Sequence, residues 1–233
     1  MSDPRLDPAR SSPTYAVRAP LARWLREEAV RAHDDLGRYR VLDVGCGQKP
    51  YEPFFAPYAD AFVGVDPVEN PRAELCGPVE ALPVDDGSFE LVLCNQVLEH
   101  ANDPAQAVRE LWRAVTPGGR LLLSTHGTQV YHPSPADYWR WTHAGLEKIL
   151  RDNGEWASLT VVPASGTTAC IAMLLNVYID LAARRAHVGA LARPVVAGLN
   201  AVAEAVDSRS ASLREPRPGT LFANFHAVAE KAS

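Results

Sequence analysis

The chain has 233 residues, 47% of them hydrophobic and 22% charged, with a formal net charge of −5. That is enough for one α/β domain with its own core and a modest added segment. The acidic balance, scarce lysine and scattered arginines argue against a nucleic-acid partner, because a phosphate backbone is met by clustered Lys and Arg.

The first twenty residues are rich in Pro and Ser and lack the apolar run of a signal peptide. They read as a segment that is disordered or draped over the domain, in a cytoplasmic protein. Pro20 then opens a helical pattern with Leu21, Trp24, Leu25 and Ala29 on one face. Residues 40–44 form a strand that runs into Asp43-Val44-Gly45-Cys46-Gly47, and 61–65 form a second, closed by Asp66 and Pro67. A third strand is predicted over 88–94 and a helix over 104–115. Pro117-Gly118-Gly119 breaks that helix before a strand over 120–125. Such alternation is the pattern of a parallel sheet covered on both faces.

Beyond this point the pattern changes. Residues 127–142 are dense in aromatics, histidine and proline, and Thr142 caps a helix over 143–151. A strand over 159–162, two helices over 167–185 and 191–206, and a strand over 221–228 complete the reading. The helical pair over 167–206 interrupts the α/β alternation and reads as an insertion packed over one sheet edge. Its first helix is apolar on most sides, which suits a core or homodimer helix better than a lid or membrane contact. Its length falls short of a membrane span.

The chemistry begins at Asp43-Val44-Gly45-Cys46-Gly47. A strand ending in Gly-x-Gly turns sharply and lets backbone approach a ligand, although a purely structural turn explains the same residues nearly as well. An acid one strand later, Asp66, suits the two hydroxyls of a ribose. The third glycine of a dinucleotide fingerprint is replaced by Pro50, so a pyrophosphate, and with it a nicotinamide-dependent oxidoreductase, is disfavoured. An adenosine without phosphates fits better.

Five ordered segments carry a resemblance: Leu42 to Gly47, Glu80-Ala81-Leu82-Pro83, Gly87 to Val92, Val97-Leu98-Glu99-His100, and Thr116-Pro117-Gly118-Gly119. Over roughly residues 38–126 the chain resembles the class I S-adenosylmethionine-dependent methyltransferases, in the branch with the quinone-biosynthesis enzymes. The resemblance implies a Rossmann-like α/β fold, a mostly parallel seven-stranded sheet with helices on both faces, here with a helical cap insertion. It implies S-adenosylmethionine as cofactor, with S-adenosylhomocysteine as product. Asp43, Gly45, Cys46 and Gly47 would lie at the methionine part, Asp66 and Pro67 at the ribose, and Glu80, Ala81 and Leu82 at the adenine. Asn95 and Gln96 would lie near the transferred methyl. Where the family usually has an Asp bonding the adenine amino group, this chain has Pro78; Glu80 or a backbone carbonyl is expected to substitute.

The loop after the 120–125 strand follows a strand end where open α/β sheets bind ligands. Its aromatics can simply cover the sheet edge. Its density of His, Tyr, Trp and Arg favours an acceptor wall made by Tyr131, Tyr138, Trp139, Arg140 and Trp141. Methyl transfer to a hydroxyl needs a base, and His126 is the first candidate, then His132. Glu99 and His100 read as structural. The four cysteines (Cys46, Cys76, Cys94, Cys170) form no CxxC pair and share no ligand spacing with histidine, so reduced thiols and no metal are expected. The reading is thus a single methyltransferase domain over 1–233: an N-terminal segment and helix (1–36), a cofactor core (38–126), the aromatic loop and the helical insertion. Its preferred activity is O-methylation of a secondary metabolite or glycosylated intermediate, a small-molecule acceptor. N- or C-methylation, or a catalytically silent binding subunit, are the alternatives.

Overall fold

The structure is a computed structural model that describes residues 3–133 and 136–233. Its strands are β1 (Tyr39–Val44), β2 (Ala59–Asp66), β3 (Leu75–Cys76), β4 (Phe89–Asn95), β5 (Val115–His126), β6 (Trp156–Pro163) and β7 (Asn224–Lys231). They form one sheet in the order β3-β2-β1-β4-β5-β7-β6. The strands from β1 to β5 pair in parallel, and β7 runs antiparallel to both β5 and β6. The chain winds outward in one direction from β1 through β2 and in the other through β4, leaving a crevice at the carboxyl ends of β1 and β4.

Both faces of the central strands are covered, which is why β4 reads Leu91, Val92, Leu93, Cys94 without alternation. Helices α1 (Tyr15–Leu36) and α2 (Glu52–Phe55) seal one face, where Leu25, Ala29 and Phe55 pack on Val41, Leu91 and Leu122. Helices α3 (Pro104–Ala114) and α4 (His143–Asp152) seal the other, where Val108, Leu111, Leu146 and Leu150 meet Leu42, Val92 and Leu123. Both α3 and α4 start on side-chain caps: Asp103 accepts from the Gln106 amide, and Thr142 from the Gly145 amide.

The last two helices, α5 (Thr167–Arg185) and α6 (Gly189–Ser208), form an antiparallel hairpin between β6 and β7. Ala169, Cys170 and Met173 of α5 and Ala203 of α6 pack against Ala16 and Val17 of α1. Buried Asn176 donates to Asn200, and Asn200 donates to the carbonyls of Arg10 and Ser12, tying the hairpin to the N-terminal segment. Asp207, near the end of α6, accepts from the Thr168 and Ala169 amides and so satisfies the open N-terminus of α5. Gly166 makes room for it: a Cβ there would lie 2.3 Å from the Asp207 carboxyl carbon.

Several boundaries differ from the sequence reading, among them the last strand, which runs Asn224–Lys231 and not 221–228; two have a clear physical reason. Helix α1 starts at Tyr15, with Pro20 inside it, because Ala16 and Val17 gain partners on α5 that no local pattern reveals. Pro117-Gly118-Gly119 do not precede β5 but form a bulge within it: Phe89 pairs with Val115, and Leu91 with Arg120.

The Asp207 cap yields a prediction. Asp207→Ala should lower unfolding free energy by about 1–2 kcal/mol, the usual worth of a helix cap. Urea denaturation checks it, and wild-type stability would show that α5 begins without this carboxylate.

Candidate active site

A cavity of about 580 Å³ opens at the carboxyl ends of β1, β4 and β5. Asp43, Gly45 and Gly47 form one wall, Asn95 and Gln96 the floor, and His126, Gln129, Val130 and His132 the opposite wall. The N-terminal segment (Arg5, Pro13, Thr14), the start of α1 and Val177 of α5 complete it.

The first wall depends on the turn after β1. Gly45 and Gly47 have φ of 67° and 50°, in the left-handed region. A Cβ on Gly45 would lie 2.3 Å from Val97 Cγ2, so the turn and the β4 loop approach only because that atom is absent. The Gly45 and Cys46 amides both donate to the Val65 carbonyl. The Gly47 amide donates to Asp66 Oδ2 at 3.0 Å, and the Asn70 amide bridges Asp66 to the Gly47 carbonyl. Asp66 thus braces the turn with one oxygen. Pro67 is exposed just beyond it.

Two residues near this turn differ sharply in role. Lys49 is buried, its Nζ held 2.6 Å from Glu74 Oε1, while Glu74 also accepts from the Gly64 amide. Asp43 is buried at the cavity edge, and among the described residues its carboxyl accepts no hydrogen bond. Burial pushes it up to about 7, an effect only partly offset by the Lys49 charge. Cys46 is buried too, and burial raises its thiol to about 11, so it is no nucleophile at neutral pH.

The 79–82 stretch lies outside this cavity. Leu82 belongs to the core, and Ala81 is exposed. Glu80, expected to reach adenine, instead accepts from the Asn102 and Asp103 amides at 2.7 and 3.3 Å. Its carboxylate holds the turn that starts α3, because two adjacent amides before a helix need an acceptor. Glu80, expected at the adenine, thus has its Oε1 engaged at this turn.

At the floor, Gln96 (φ 58°) bonds Ser124 Oγ and Asn224 Oδ1, and Ser124 donates to Asn95 Oδ1. The Asn95 amide nitrogen is left without a partner among the described residues. Next to this network lies a row of three side chains. Glu99, fully buried, accepts from Thr125 Oγ1 with Oε2. Its Oε1 lies 3.3 Å from His126 Nε2, and His126 Nδ1 lies 3.4 Å from His132 Nε2. Burial favours the neutral form of both inner groups, raising Glu99 to about 7 and lowering His126 to about 3. Glu99 was read from sequence as structural. The sign that it belongs here is positional: the carboxyl end of β4 neighbours the carboxyl end of β5, where His126 sits.

The residues expected as an acceptor wall lie away from this cavity. None of Tyr131, Tyr138, Trp139, Arg140 or Trp141 lines the cavity. Tyr131 and Tyr138 are exposed, Trp139 donates to the Ala101 carbonyl, and Trp141 stacks on Trp139 and packs on the core. Arg140 grips Asp137 with both nitrogens (2.5 and 2.6 Å) and donates to the Val130 carbonyl. That ion pair holds the Asp137 carboxyl well below its usual range. The loop's aromatic density serves to pin it down, and the cavity is left to Gln129, Val130 and His132. Ligand atoms of His126, His132 and Asp137 come within 4.8 Å of one another, spacing that can serve a metal ion. In this conformation Arg140 occupies both Asp137 oxygens.

A profile described as a methyltransferase domain matches residues 42–123. An uncharacterised methyltransferase, YcgJ, of Bacillus subtilis is 33% identical over 45% of this chain and 52% of its own. A ubiquinone biosynthesis O-methyltransferase of Neisseria meningitidis is 31% identical over 63% of this chain and 67% of its own. For several other curated relatives, from Mycolicibacterium, Xanthomonas and Pseudomonas, this chain spans about half their length. Among solved structures, a putative methyltransferase from Bacillus halodurans superposes with a TM-score of 0.55 at 18% identity, covering 89% of this chain and 99% of that one. The 1,6-didemethyltoxoflavin-N1-methyltransferase of Burkholderia thailandensis, solved with S-adenosylhomocysteine, gives 0.54 at 17% identity, covering 96% and 87%. With this strand order, this glycine turn and a relative matched over two thirds of its length, the chain belongs to the class I S-adenosylmethionine-dependent methyltransferases.

Proposed function

We propose that the protein transfers a methyl group from S-adenosylmethionine to the hydroxyl of a small-molecule acceptor. The observation that carries this reading is the cavity itself. It joins a glycine turn and an unpaired buried carboxyl on one side to a carboxylate–imidazole–imidazole row on the other.

On the cofactor side, Asp43 takes the α-ammonium of the methionine part, which supplies the charge partner that the buried carboxyl lacks. Asp66 takes the ribose hydroxyls with the oxygen that Gly47 and Asn70 leave open. Asn95 and Gln96 flank the sulfonium. Methyl transfer is an in-line displacement, so alignment supplies much of the acceleration, worth up to roughly 7–11 kcal/mol.

On the acceptor side, the hydroxyl loses its proton as its oxygen takes the methyl. His132 receives that proton, and neutral His126 orients it, its Nδ1 facing His132 Nε2–H at 3.4 Å. A histidine base at the cavity favours a hydroxyl acceptor, which must shed a proton, over an acceptor that need not. His126, the first candidate from sequence, is therefore read as the middle of the row, with His132 facing the acceptor. Gln129 and Val130 are read as acceptor contacts in place of the aromatic residues.

Three results are expected. Asp66→Ala should weaken S-adenosylhomocysteine binding by about 1.5–3 kcal/mol, the worth of hydrogen bonds to a charged group; an unchanged calorimetric dissociation constant would remove Asp66 from the ribose. Asp43 is neutral below about 7 and charged above it, and the ammonium binds the charged form. Affinity should therefore rise between roughly pH 6 and pH 8 in wild type and stay flat in Asp43→Asn. Equal slopes would refute the pairing.

The third concerns turnover. His126→Ala should lower kcat by about 10²–10⁴-fold while leaving cofactor affinity near wild type. Protonated Glu99 cannot offset the charge that His132 gains, so turnover should fall as pH drops through about 7, and Glu99→Gln should lose that inflection. Variants that melt earlier yet keep wild-type kinetics would make the row scaffolding.

A further inference from the structure

The hairpin of α5 and α6 has an outer face that none of the described residues covers. Contrary to the sequence reading, α5 has the length and composition of a membrane span, and along it the exposed positions Ile171, Leu175, Tyr178 and Leu181 repeat at helical spacing. Along α6 the exposed series is Leu191, Val195, Gly198, Val202 and Val206. Several are well out in solvent: Tyr178 is 64% exposed, Leu191 72% and Val202 62%. Scattered exposed apolar side chains are ordinary, but two parallel unbroken stripes are not.

The charges on the hairpin are arranged as unevenly as its apolar residues. It carries three carboxylates, Asp180, Glu204 and Asp207, and all are engaged. Asp180 pairs with Arg184, Glu204 with Arg10, and Asp207 is buried on the α5 amides. From Leu181 to Ala203 there is no carboxylate at all, while Arg185, His187 and Arg193 stand exposed at the tip beside the paired Arg184. In a chain of net charge −5, this end is basic.

We propose that this hairpin docks on the surface of an anionic lipid bilayer, lying in the plane of the interface. The apolar stripes enter the headgroup boundary and the tip arginines meet lipid phosphates, the arrangement of an interfacial amphipathic element. Although α5 is long and apolar enough to cross a bilayer, its inner side packs on α1 and its buried Asn176 bonds Asn200. Spanning would break both, and surface docking keeps both. The same helix lends Val177 to the cavity wall, so docking would bring the acceptor space to a lipid surface. The inference does not depend on the methyl-transfer reading.

The test is co-sedimentation of the full chain with vesicles. One set is phosphatidylcholine alone; the other contains about one third phosphatidylglycerol. The chain should pellet with the anionic vesicles, far less with the neutral ones, and be released by high salt. Leu191→Asp with Val195→Asp should abolish pelleting. Arg185→Gln with Arg193→Gln should lower partitioning about 25-fold, at about fivefold per arginine. These side chains are exposed, so melting temperature and S-adenosylhomocysteine affinity should hold in both variants. Failure to pellet, or equal pelleting by wild type and both variants, would overturn the proposal. So would light scattering that shows a stable dimer split by the Asp variant without vesicle binding, which would give the face to a second copy.

Discussion

Everything at the carboxyl edge of the sheet depends on how closely the turn after β1 approaches the loop after β4. Gly45 sits where any side chain would collide with Val97, and its positive φ would strain one further. With that atom missing, the turn folds back on β2 through the Val65 carbonyl and onto Asp66 through the Gly47 amide. The cavity is the space this leaves between two loops that leave the sheet in opposite directions. Lys49 secures the turn from beneath, and it fits only because Gly64 is also bare: a Cβ there would lie 2.5 Å from Lys49 Cε.

Two buried carboxyls lie in different electrostatic settings, Asp43 on the cavity wall and Glu99 behind His126. Asp43 is raised by burial and has no hydrogen-bond donor among the described residues, so it suits a cation that arrives with a ligand. Glu99 is also raised by burial, but accepts from Thr125 and lies 3.3 Å from His126, so it is placed to support the histidine pair and not a ligand. Leaving a buried polar group unpaired is costly, and the unpaired state of Asp43 is what links the fold to a ligand.

Much of this was legible in the sequence, and the parts that were not share a cause. The strands were readable because buried parallel strands are continuous apolar runs, and the glycine turn and Asp66 because they sit at strand ends. The Thr167–Arg185 helix matched to its ends, since Gly166 and the charged Arg184-Arg185 pair bound an apolar run. Missed features depend on contacts between distant segments. Glu80 looked free until Asn102 and Asp103 folded against it. Arg140 looked like an acceptor ligand, although a pairing with Asp137 three positions away was always open to it. Composition showed that the 127–142 loop was unusual but not which of its residues face inward. Its Trp and Tyr residues hold the loop or face solvent, while the less conspicuous Gln129 and Val130 reach the cavity.

The central claim is that this cavity holds a phosphate-free adenosine ligand with a charged amino-acid tail. Titration calorimetry of the wild-type chain with S-adenosylhomocysteine, and separately with NAD(H), tests it most directly. The account predicts saturable one-to-one binding of S-adenosylhomocysteine and no heat with the dinucleotide. Tight binding of the dinucleotide, or no binding of S-adenosylhomocysteine, would contradict it.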